Sequence, residues 1–168
     1  NCTLNVNDLL SGSLVNDGDA IVSKGINGGI INHGNITFAG GNSTFADGIV
    51  GPGNITIDDG ASITIGGEFA DSTIVNNGLL TLDGGDLSVA KISGNGDLVL
   101  NSDFNLGDNN LNQNKITING NLITELKSGA DYRITANSVD GTGKLTLTLK
   151  EAGTYKVFGK DTFDNIVW

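Results

Sequence analysis

The sequence holds one cysteine, one proline, one histidine, one arginine and nine aromatic residues among 168 positions. A lone Cys2 excludes an intramolecular disulfide and leaves the redox compartment unmarked. It is preceded by Asn1, whereas a lipidated cysteine is expected at the first mature position. One His and one Arg leave no histidine-based catalytic pair, no arginine clamp and no histidine metal cluster. Few rings mean that an interior must be built from Ile, Leu and Val, which suit narrow sheet cores. No apolar run reaches membrane-spanning length and no charged-then-apolar leader opens the chain, so a soluble, mature or excised segment is expected, with no membrane insertion. Basic residues are also scarce: 9 Lys and Arg against 19 Asp and Glu give a net charge of −10. Such a balance argues against nucleic acid or an anionic membrane as partner.

Glycine, by contrast, is abundant at 26 residues, which predicts many tight turns between short strands. The charge is uneven. Residues 1–126 carry 3 basic and 14 acidic side chains, whereas 127–168 carry 6 and 5. That second segment also holds Tyr132, Tyr155, Phe158, Phe163 and Trp168. The division expected is 1–126 as repeated coils and 127–168 as last coils followed by a cap or assembly segment, within one domain.

An internal repeat organises the chain: an apolar residue, three residues, Gly, then two apolar residues separated by one position. It reads Leu14-Gly18-Ala20-Val22, Ile30-Gly34-Ile36-Phe38, Ile49-Gly53-Ile55-Ile57, Ile74-Gly78-Leu80-Leu82, Ile92-Gly96-Leu98-Leu100 and Val139-Gly143-Leu145-Leu147. A degenerate copy has Leu111, Asn114 in place of Gly, and Ile116-Thr117-Ile118. Successive Gly-equivalent positions lie 16, 19, 25, 18, 18 and 29 residues apart, which are coil lengths of a β-solenoid. Alternation such as Ile55-Thr56-Ile57 turns one side of each strand inward.

The fold expected is therefore an all-β, single-domain parallel β-helix (β-solenoid) of seven or eight coils, with a sheet-like C-terminal cap. No coil buries its apolar edge alone, and stacking merges the Ile and Leu columns into one core. Gly18, Gly34, Gly53, Gly78, Gly96, Asn114 and Gly143 are the predicted turn residues, placed at corners where a Cβ would clash. Asn16, Asn32 and Asn76 share a position with Gly51, Gly94 and Gly141 in other copies. That interchange favours a left-handed turn over a side-chain ladder, since Gly cannot join a ladder.

The units Leu14-Val15-Asn16-Asp17-Gly18, Ile30-Ile31-Asn32-His33-Gly34 and Ile74-Val75-Asn76-Asn77-Gly78 resemble the secreted passenger regions of bacterial autotransporters and filamentous haemagglutinin-type adhesins. The Asn- and Ile-rich composition is similar to the rickettsial type. The resemblance covers about residues 10–150 and implies a right-handed parallel β-helix, display on the bacterial outer surface and adhesion. It identifies no ligand-binding residue, and no membrane barrel segment accompanies it.

Candidate chemistry is thin. His33 aligns with Asp17, Pro52 and Asn77 and reads as a solvated turn residue. Adjacent Asp58 and Asp59 offer carboxylates for glycoside chemistry, against the simpler reading of an exposed turn. The stretch from Gly94 to Leu100, with the acidic loops Asp83 to Asp86 and Asp103 to Asp108, offers calcium at most weakly; no other cofactor is expected. Thr37, Thr56, Thr81, Thr117 and Thr146 invite an ice-binding reading, but Val99 interrupts the rank and β-branched polar residues are ordinary on an outward strand position. Asn1, Asn35, Asn42 and Asn54 stand in glycosylation sequons.

The function expected is a non-enzymatic surface adhesin or stalk whose partners are a host-surface protein, a glycan or copies of itself. Recognition is assigned to the insertion 66–72 or to the aromatic end, with Tyr155, Phe158, Phe163 and Trp168 as an assembly surface. The rivals are a self-assembling filament subunit and a carbohydrate-active β-helix enzyme.

Overall fold

The computed structural model describes residues 3–70, 73–84 and 91–159. All regular structure in them is β, and every strand pairing is parallel. Short alternating segments separated by Gly and Asn leave no run long enough for a helix. A strand that turns one side inward must then find its hydrogen bonds in the next coil.

The chain visits three faces in turn. On the first, Thr3–Val6, Asp19–Val22, Asn35–Phe38, Asn54–Ile57, Thr73–Asn76 and Lys91–Ser93 form a sheet in that order. Leu111–Asn112 lies against the last of these and begins a three-stranded sheet with Ile134–Thr135 and Phe158–Gly159. The second face is one eight-stranded sheet: Leu10–Ser11, Ile26–Asn27, Gly41–Phe45, Ala61–Ile65, Leu79–Leu82, Asp97–Leu100, Lys115–Ile118 and Ser138–Asp140. The third face holds Leu14–Asn16, Ile30–Asn32, Ile49–Val50 and Phe69–Ala70, then Phe104–Gly107, Asn121–Leu126 and Lys144–Leu149. This is a β-solenoid. Eight strands at about 4.8 Å spacing extend the second face over roughly 34 Å.

In-register stacking turns each inward position into a column. Ala20, Ile36, Ile55, Ile74 and Ile92 form one on the first face, and Ile63, Leu80, Leu98, Ile116 and Val139 one on the second. All ten are buried, in a core that also takes Phe38, Phe45, Phe69 and Phe104. The Phe38 and Phe45 rings meet at 5.6 Å and bridge the first and second faces.

The repeat is real, but its copies do not stack as one series. In Leu14–Val22, Ile30–Phe38 and Ile49–Ile57 the first apolar residue stands on the third face and the closing pair on the first. In Ile74–Leu82 and Ile92–Leu100 the same pattern has moved to the corner between the first and second faces. In Val139–Leu147 it has moved again, to the corner between the second and third. Thus Ile55 stacks on Ile74, while Leu80 stacks on Ile63. The 25-residue interval from Gly53 to Gly78 is one coil, the 19 residues from Asn54 to Thr73, plus one step of six to the next corner. The motif encodes a corner, and a three-sided coil has three places to put one.

The threonines separate for the same reason. Thr37 and Thr56 are neighbours on the first face. Thr44, Thr64, Thr81, Val99 and Thr117 make one outward column on the second, and Thr146 lies on the third. No single rank of the five expected threonines exists.

Candidate functional site

Gly18, Gly34, Gly78, Gly96 and Asn114 sit in bends between strands, and Gly53 and Gly143 immediately precede one. None of these six glycines has positive φ. A side chain is excluded instead by the coil beneath: a Cβ on Gly34 would run into the Gly18 carbonyl, one on Gly96 into the Gly78 carbonyl, and one on Gly143 into that of Gly120. Gly53 meets the side-chain amide of Asn32 as well as the Gly34 carbonyl.

Positive φ belongs to the position two residues earlier, at Gly51, Gly94 and Gly141 (110°, 121° and 121°). The asparagines that share that position do something else, and the turn reading of Asn16, Asn32 and Asn76 is corrected here. Each ends a strand and is buried. Asn16 Nδ2 donates to Asn32 Oδ1 at 2.8 Å and to the Asn35 carbonyl at 3.0 Å. Asn32 Nδ2 donates to the Asn54 carbonyl, and Asn76 Nδ2 to the Asp97 carbonyl. Asn76 also reaches Gln113 Oε1 at 2.7 Å, across the intervening coil where Gly94 has no side chain. A buried amide needs such partners. The ladder and the left-handed turn coexist, because Gly supplies one and Asn the other.

Outside, three further amide ladders among the described residues share one design. Asn54 donates to Asn35 and Asn35 to Asp19; Asn119 donates to Asn101 and Asn101 to Asp83; Asn137 donates to Asn114 and Asn114 to Asp97. Every amide donates toward the N-terminal coil, and each ladder ends there on a carboxylate. A terminal acceptor that carries charge and needs no donor of its own suits the last rung.

These bonds also occupy the carboxylates of the loops considered for calcium. Asp83 and Asp97 accept from asparagines, Asp103 accepts from the Asn121 N–H, and Asp108 pairs with Lys127. Asp86 lies outside the described residues. No group of three His, Cys, Asp or Glu able to hold a metal occurs among the described residues. The Lys127 ammonium, donating to Asp108 and facing it electrostatically, holds that carboxyl below its ordinary value of 3.8. Lys115, with help from Thr117, does the same to Asp140, and Asp140 in turn raises Lys115 above 10.5. His33 pairs with Asp17 of the preceding coil at 2.8 Å on the surface.

At the corner between the first and second faces, Gly78 stacks between Ala61 and Gly96, Gly60 stands one position before Ala61, and a groove of about 430 Å³ opens beside them. Asp59, Asn77, Asn95 and Asn114 stand along it, with Ser62, Leu79 and Asp97 on the second face. Backbone groups here are paired along the axis: Asp97 N donates to the Gly78 carbonyl and Asn114 N to that of Gly96. Asp58 gives its backbone carbonyl to Ala61 N, and of the two adjacent aspartates Asp59 is the one that lines the groove. Leu79 stays 38% exposed although its column neighbours are Ser62 and Asp97.

At the C-terminal end, Phe158 packs against the core and Tyr155 is half-buried, its hydroxyl enclosed. Both keep part of their surface exposed; Phe163 and Trp168 lie outside the described residues. Among the described residues the large apolar side chains exposed there are Tyr132, at 46%, and Leu147 and Leu149, at 40% and 58%, whose column partners Thr124 and Leu126 are buried. Of the insertion 66–72, Phe69 is fully buried. No protein-family model matches the chain, and neither a curated protein nor a solved structure matches it.

Proposed function

We propose that this chain is a non-enzymatic, acidic β-solenoid of the bacterial outer surface, serving as a stalk or adhesin segment of the autotransporter passenger type. The observation that carries the reading is the direction of its polar bonds. Backbone ladders on all three faces, the buried amide ladder and the three outer ladders all run along one axis. Bonds aligned in this way resist bending and extension, which is what a spacer between a cell and its target requires. The Ile-x-Asn-x-Gly units support the same reading. A negative surface keeps the rod soluble and away from anionic membranes.

The test is purified chain on immobilised host-surface proteins and glycans, alongside a panel of polysaccharides assayed for cleavage. Binding without release of reducing ends is expected. Cleavage that disappears in Asp58→Ala or Asp59→Ala would replace the reading with an enzymatic one. Exposed Leu147 and Leu149 favour self-association as a second reading. Sizing across a hundredfold range of concentration separates them, since a stalk keeps one size and a filament subunit grows.

A further inference from the structure

We propose that the corner groove between Asp59 and Asn114 is a binding site for a short, extended, uncharged glycan lying along the solenoid axis. This rests on the adhesive reading above and gives it a place. The groove lies where Gly60, Gly78 and Gly96 come near one corner in consecutive coils, with Ala61 in the column below Gly78, so small residues and backbone make its floor. A Cβ on Gly78 would strike the carbonyls of Asp58 and Ala61, and one on Gly96 that of Gly78, so stacking keeps those two positions bare; at Gly60, where a Cβ would meet nothing, the positive φ favours glycine instead.

The chemistry of the walls narrows the ligand. Among the described residues no Lys or Arg lines the groove, while Asp59 and Asp97 do, which disfavours phosphates, sulfates and uronates. Those two carboxylates stand two coils apart, roughly 10 Å along the axis at the strand spacing, too far to share one cation. A peptide strand would need an unpaired sheet edge, and here the backbone is already paired between coils. Along the walls stand Ser62, Asn77 and Asn95, the Asn77 Oδ1 already accepting from the Asn95 N–H at 3.2 Å, with Leu79 among them. Hydroxyl groups on a sugar ring can both donate to and accept from such amides, and the C–H face of the ring covers a leucine. One rung per coil suits a ligand that repeats along its length.

The test titrates the intact chain with three neutral probes, cellohexaose, N-acetylchitohexaose and maltohexaose, following backbone amide resonances. At least one is expected to shift the Leu79 and Asn95 signals. Its affinity should fall tenfold or more in Leu79→Asp and severalfold in Asn95→Ala, both keeping the parent circular dichroism, and stay unchanged in Thr56→Ala on the first face. Absence of binding by all three probes at millimolar concentration overturns the proposal. So does binding that Leu79→Asp and Asn95→Ala leave unchanged; in that case the glycan sits elsewhere and the adhesive reading survives the loss of this site.

Discussion

A single buried amide separates two explanations of the Asn and Gly interchange. If Asn32 merely turned the chain, its side chain would be dispensable; as a rung, it accepts from Asn16 and donates to the Asn54 carbonyl inside the core. Asn32→Ala should therefore lower unfolding free energy by about 1–3 kcal/mol in urea denaturation, the range for leaving buried polar groups unpaired. Asn54→Ala, on an exposed ladder, should lower it by roughly 0.5 kcal/mol or less. Equal effects would mean that burial contributes nothing to the interior ladder. Glycines offer a matching contrast. Gly60 has φ +84° with open space around it, so Gly60→Ala meets only backbone strain, about 1 kcal/mol. Gly78→Val meets the backbone of the coil below and should lower the melting temperature further; an unchanged melting temperature would contradict the steric account.

Titration adds a sign. Asp140 is depressed in the folded chain, so its contribution is present above the ordinary carboxylate value of 3.8 and is lost as pH falls through its lower folded value. Lys115 is raised, so its contribution is present below 10.5 and is lost as pH rises through its higher folded value. Between those limits Asp140→Asn should unfold at a lower temperature than the parent, and the gap should close in acid. A gap independent of pH would remove the ion pair from the account.

The element that matters is the corner with the rung beside it. Because the outer ladders are polarised, their members should be coupled beyond direct contact. In a double-mutant cycle, Asp97→Ala and Asn137→Ala both touch Asn114 but not one another. Their coupling is expected at roughly 0.5 kcal/mol, and strict additivity would show independent hydrogen bonds instead. Much of this level was legible in the sequence. Apolar alternation gave strands such as Asn54–Ile57, and the recurring Gly gave corners. What the pattern could not carry was which corner, since Ile30-Ile31-Asn32-His33-Gly34 and Ile74-Val75-Asn76-Asn77-Gly78 meet the same local demands at different vertices. The groove was half-visible: Gly60, Gly78 and Gly96 are plain in the sequence, but that Gly78 and Gly96 share a column with Gly41 and Ala61, one position off Gly60, is something no repeat spacing reveals. Leu79 did carry a signal, an apolar residue at an outward position. Gln113 carried none, because its role depends on the empty place left by Gly94 in the coil below.

For the whole molecule, everything follows from the register between coils. Columns merge into one core, axial bonds stiffen the rod, and the groove aligns only if each face continues in the order described. Cysteine pairs on a Cys2→Ser background test this directly. Thr56 and Val75 are facing partners on the first face, as are Val99 and Thr117 on the second. Thr56 and Thr81 would be neighbours only if the motif occupied the same corner in every copy. Under mild oxidation, Thr56→Cys/Val75→Cys and Val99→Cys/Thr117→Cys should crosslink within the monomer while Thr56→Cys/Thr81→Cys should not. Crosslinking of the third pair, with the first two silent, would contradict the stack of faces.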